Sequence, residues 1–171
     1  MRSSILSATL AAFALTGCAS TQNSGDADDA SLSVASGPTA WTGRLNPTTQ
    51  RTGGLAGADQ ARAFGTVTLS PARSNENRTD VRLAVSVPSS ANNTSLPWAV
   101  LPGRCGTGSI PLASLDLFPP IEIGSNSRGE LTTSIALTLP SSGTYHVNVY
   151  WPGGGSDLST VLTCGNLRRG G

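Results

Sequence analysis

At 171 residues the chain has room for one domain of ordinary size with a substantial core. Its 11 basic residues, all arginine, face 10 acidic ones, so no basic field exists to draw nucleic acid and no acidic field to draw cations. A single histidine excludes any metal centre built on several imidazoles.

The first element is a targeting segment. Arg2 is the only charge before Asp26, and Ile5 to Leu15 is a run of apolar and small residues. That run is too short for a membrane-spanning helix, which takes about 20 residues. A buried core helix would be amphipathic and flanked by polar turns, and this segment is neither. Leu15-Thr16-Gly17-Cys18 resembles the bacterial lipobox, in which small residues precede a lipidated cysteine. The resemblance implies an exported lipoprotein, with residues 1–17 as signal peptide and Cys18 as the lipidation site. Several acyl chains on that cysteine would hold the protein permanently to its membrane, where one chain binds only marginally. Ala19 stands where an inner-membrane retention signal would carry aspartate. The expected address is therefore the cell envelope, on the outer membrane facing the periplasm in a bacterium with two membranes.

Residues 18–40 are poor in large apolar groups, and the stretch Thr21 to Ala30 cannot bury enough surface to offset its ordering entropy. They read as the lipidated cysteine followed by a flexible spacer. The domain is expected over 41–171. Once Cys18 is lipidated, Cys105 and Cys164 are left in an oxidising compartment, where a disulfide is expected. The alternatives are two free thiols or a metal pair, and neither CxxC spacing nor a neighbouring histidine supports the latter.

Within the domain the dominant period is two. Candidate strands in chain order are Trp41–Leu45, Ala63–Ser70, Val81–Val87, Leu96–Leu101, Ile110–Leu117, Leu131–Leu139, Tyr145–Trp151 and Leu158–Cys164. The clearest alternations set Val81, Leu83, Val85 and Val87 on one face, and Tyr145, Val147, Val149 and Trp151 opposite His146, Asn148 and Tyr150. Polar or Pro/Gly-rich stretches separate them at Pro71–Thr79, Pro88–Ser95, Gly124–Gly129, Pro140–Gly143 and Pro152–Ser156. With no helical stripe, the expected fold is all-β: an antiparallel Greek-key sandwich or barrel of about eight strands, with one disulfide.

Three landmarks carry a second resemblance. Leu96-Pro97-Trp98-Ala99-Val100-Leu101-Pro102-Gly103-Arg104-Cys105 is similar to the strand-then-cysteine segment of copper–zinc superoxide dismutase-like domains. Tyr145-His146-Val147-Asn148-Val149-Tyr150 resembles a strand of chordin-type (CHRD) domains, and Cys164-Gly165-Asn166-Leu167 resembles the C-terminal segment that closes the dismutase disulfide. The resemblance implies the Greek-key fold. It does not bring the metal chemistry, because the positions matching the copper ligands are Ala99, Leu101 and Tyr150, and the loop after Cys105 holds Asp116 but no histidine.

Other constellations are incomplete. His146 lies on a face opposite its apolar neighbours, towards solvent or a second layer, with no serine elbow or spaced acid to make it catalytic. Gly153-Gly154-Gly155-Ser156 lacks the Lys-Ser/Thr ending of a phosphate loop. Asp116, Glu122 and Glu130 match no calcium loop. Trp98 and Trp151 fall in register with apolar neighbours and read as core. The expectation is a non-enzymatic, lipid-anchored envelope protein with no cofactor and no metal, acting as a binding or structural module towards an envelope-protein or cell-wall partner. The alternative is a metal-binding or redox protein with a degenerate site on a dismutase-like fold.

Overall fold

The computed structural model describes residues 40–48, 62–108, 110–151 and 160–170. The expected signal peptide, Cys18, all but the last residue of the expected spacer, the expected Pro152–Ser156 turn and the start of the expected Leu158–Cys164 strand lie outside the described residues.

The described fold is all-β and antiparallel. Its strands are β1 (Trp41–Pro47), β2 (Phe64–Ala72), β3 (Asn75–Ser86), β4 (Ser95–Leu96), β5 (Trp98–Pro102), β6 (Ile121–Glu122), β7 (Arg128–Ile135), β8 (Tyr145–Tyr150), β9 (Val161–Asn166) and β10 (Arg168–Arg169). One sheet runs in the order β5-β8-β9-β1-β2-β3-β7, with β10 also on β1, and it curls into a half-barrel. β1-β2-β3 and the β8-β9 pair are neighbours both in sequence and in space. The other strands reach their places by the crossed connections of a Greek key. A short β4–β6 ribbon stands apart, with buried Leu96 paired to buried Ile121.

Alternation decides which side chains enter the concave core. In β3, Val81, Leu83 and Val85 are buried while Asp80, Arg82 and Ser86 are exposed. β5 and β8 differ, because both of their faces are covered. Trp98, Val100, Val147 and Val149 enter the core; Ala99, Leu101, His146, Asn148 and Tyr150 occupy the opposite face and are buried too. Leu45 takes space that two absent side chains leave free. Its methyls lie 2.9 Å and 2.8 Å from where Cβ atoms of Gly65 and Gly165 would stand.

Two stretches differ from the sequence expectation. Pro71–Thr79 is not a loop: β2 and β3 continue through it to a two-residue turn at Arg73-Ser74, beyond the edge of the apolar core. Of the described side chains in this stretch only Thr79 is buried, its hydroxyl donating to the Leu137 carbonyl, so no apolar period shows. Ile110–Leu117 is not a strand. Pro111 lacks an N–H for a ladder, Leu112 N–H donates to the Val100 carbonyl at 2.9 Å, and the chain then turns through a 3₁₀ segment at Leu115–Leu117. The short β4, β6 and β10 carry too few residues to show a period.

Candidate functional site

Direct cross-strand partners point to the same side of a sheet, so register alone assembles a site on the outer face of β8, β9 and β1. Asn148 pairs with Cys164, and Cys164 pairs with Asn46. Two residues on, Tyr150 pairs with Val161, because a bulge after Val149 skips Leu162. Leu101, opposite His146, belongs to the same face.

The loop after β5 walls this face on one side. Cys105 and Cys164 form the expected disulfide, with Cα atoms 5.9 Å apart. Cys105 N–H donates to Asn166 Oδ1 at 2.8 Å, tying the loop to β9 a second time. Between them the chain makes a tight turn in which Thr107 N–H and its hydroxyl both donate to the Arg104 carbonyl. Gly108 ends the turn at φ +75°, where a Cβ would stand 2.4 Å from the Pro102 carbonyl oxygen. Only glycine fits there.

Beside this loop lies a cavity of about 610 Å³, within the range of small-ligand sites. Among the described residues its lining includes Asn46, Thr48, Leu101, Asn148, Tyr150 and the disulfide, and no charged residue. Asn148 is only 7% exposed, yet its Oδ1 has no hydrogen-bond partner. Its amide N–H₂ donates to the Tyr150 hydroxyl at 3.4 Å. Burial raises the pKa of the Tyr150 phenol, against a smaller opposing effect of the Asn148 hydrogen bond, so its O–H remains a donor. An acceptor and a donor thus sit side by side in a half-apolar cavity whose described lining is uncharged. Such a pair suits a neutral amide or hydroxyl group, since an unmet buried acceptor costs about 1–3 kcal/mol.

His146 is placed in the second layer, not in solvent. It is fully buried under the Gly103–Gly108 turn, with Nδ1 3.0 Å from the Gly103 carbonyl and Nε2 unpaired. A neutral ring protonated on Nδ1 satisfies that contact. Desolvation lowers its pKa, outweighing the Gly103 hydrogen bond, which raises it. The folded state therefore disfavours the imidazolium relative to the unfolded chain. Its contribution is whole above the ordinary value of 6.5 and is lost as pH falls below it. Urea unfolding at about pH 7.5 and about pH 5.5 is expected to show that loss, at no more than about 1.4 kcal/mol per pH unit, and His146→Gln is expected to flatten it. An unchanged slope in the variant would place the titration elsewhere.

The remaining candidates are scattered. Asp116, Glu122 and Glu130 stand on three separate elements, with Glu122 accepting from Ser95. Among the described residues no three His, Cys, Asp or Glu side chains gather where they could hold a metal ion. Trp98 and Trp41 are buried, while Trp151 is half-buried and packs against the core. Of the positions matching copper ligands, Leu101 and Tyr150 line the cavity and Ala99 is buried under the same face. Asn148 escaped the sequence reading, although its place between His146 and Tyr150 was visible in the alternation.

Fold and site together define a disulfide-bonded antiparallel half-barrel with a cavity on its outer face whose described lining carries no charge. No protein-family model, no curated protein and no solved structure matches the chain.

Proposed function

We propose that the chain is a non-enzymatic, lipid-anchored cell-envelope protein that acts as a binding module, with the cavity beside the Cys105–Cys164 disulfide as its ligand site. The observation that carries the binding role is Asn148, a nearly buried amide that lines the cavity and whose oxygen has no hydrogen-bond partner. A purely structural module gains nothing from that atom, and an apolar residue of similar size would fill the place at lower cost. The lipobox-like Leu15 to Cys18 segment supports the anchor.

Both halves are tested on one preparation, the full chain extracted in detergent from cells fed labelled palmitate. Label on the wild type and none on Cys18→Ser is the expected result, and an unlabelled wild type would remove the anchor. Native mass spectrometry is expected to find a small molecule held by the wild type and missing from Asn148→Leu. The variant should be at least as stable as the wild type, because it loses an unpaired acceptor. Equal occupancy in both proteins, or a bare wild type, would defeat the binding role.

A further inference from the structure

The cavity does not stand alone on the sheet's outer face. Asn46 and Asn166 line it and also line a second recess, of about 560 Å³, over β1 and β2. The second recess is different in chemistry. It holds Arg44 and Arg168 together with Thr42, Thr66 and Thr68. Both arginines are exposed, and neither has an acidic partner among the described residues.

Register explains why the two charges meet there. Thr42 pairs with Arg168 on one side and with Thr68 on the other, and Thr68 pairs with Arg82. Arg44 pairs with Thr66, which pairs with Ala84, and only then comes Glu130 on β7. Three strand spacings, about 14 Å in all, separate that carboxylate from Arg44. At physiological salt this exceeds the screening length of about 8 Å. Along the row of Arg168 the next charge is another arginine. Among the described residues the groove is therefore locally cationic, on a chain whose overall charge is close to zero.

We propose that cavity and groove are one site for a small oxyanion bearing a neutral hydrogen-bonding arm: a carboxylate or phosphate lies between Arg44 and Arg168, and an amide or hydroxyl arm reaches Asn148 Oδ1 and the Tyr150 hydroxyl. This rests on the binding role given to the cavity and adds the charge of the ligand. Guanidinium groups suit both oxyanions, because their planar donors match either in pairs. The threonine hydroxyls between them add donors without charge. The described lining of the inner cavity carries no charge, which matches a ligand that is anionic at one end and neutral at the other.

Three compounds separate the parts: inorganic phosphate, N-acetylglucosamine, and N-acetylglucosamine 6-phosphate, in which they are joined. Each is titrated into the full chain in detergent, with Asn148→Leu and the double variant Arg44→Gln/Arg168→Gln as comparisons. The joined compound is expected to bind about tenfold or more tightly than either part, since linking makes the second contact intramolecular. The arginine variant should lose phosphate and most of that gain. Asn148→Leu should keep phosphate and lose the gain. If the neutral sugar binds through Asn148 but phosphate adds nothing, the cavity's role stands and the anionic assignment falls. If phosphate binds through the arginines and Asn148→Leu changes nothing, or if no compound binds, the single site is overturned. Circular dichroism of each variant shows whether a loss reflects unfolding, and Arg44→Lys/Arg168→Lys should retain part of the phosphate affinity.

Discussion

Replacing Cys105 and Cys164 together by serine is expected to lower the unfolding free energy by about 4 kcal/mol, the chain-entropy value for a loop of this length. The bridge closes a sequence separation of 59 residues, which takes in β6, β7 and β8. Those strands find their partners across long stretches of chain. β7 lies on β3 and β8 on β5, so the cross-link removes many open conformations that the folded state never uses. Against a total of about 5–15 kcal/mol for an ordinary domain, such a loss is large. Urea midpoints of the double variant, compared with wild type under oxidising conditions, measure it. A difference below about 1 kcal/mol would mean the denatured chain is already compact around these strands. Reduced wild type should follow the variant. Ligand binding should weaken with it, because Cys164 lies between Asn148 and Asn46 and Cys105 holds the loop that walls the cavity.

The disulfide was legible because its argument needed only the cysteine count and the compartment expected from the leader. The all-β class was legible as well, in Val81 to Val85 and in Tyr145 to Tyr150, where one face is core and the period shows. Where neither face is core the period carries no such information. The ends of β2 and β3 beyond Pro71 look like loop because their side chains are polar on both sides. Ile110 to Leu117 misleads in the opposite sense. Leu112 and Ala113 pack on the core while Ile110 and Leu115 stay exposed, so the segment has a strand's composition without a strand's neighbours.

The site was half legible. Alternation put His146, Asn148 and Tyr150 on one face, and register later put Cys164 and Asn46 beside them. What covers that face depends on a turn closed by Gly103 and Gly108, and what remains uncovered depends on β1 joining β8 and β9 from the far end of the domain. Neither is a local property. The isolation of Asn148 Oδ1 is a fact of packing, invisible in any window of residues.

Trp98→Ala is expected to cost about 3–5 kcal/mol, as large as the disulfide, by emptying the core end of β5. The indole is 1% exposed. Its ring stands edge-on to Phe118, centroids 5.0 Å apart, and its Nε1–H donates to the Pro119 carbonyl at 2.7 Å. Both partners lie at the end of the long connection that leaves β5 at Gly103 and returns at β6. Trp98 therefore fixes the far end of the same segment whose near end Cys105 fixes beside the cavity. Trp98→Phe separates the two contributions. It keeps most of the ring area and gives up the hydrogen bond, for an expected loss of about 1–3 kcal/mol from the unmet carbonyl and the smaller ring. Proteolysis at Ile110 and Leu115, both exposed, is expected to quicken in both variants and more in the alanine one. A Trp98→Ala protein of near wild-type stability would mean that the connection is held from the disulfide end alone, and that Phe118 and Pro119 follow the fold without supporting it.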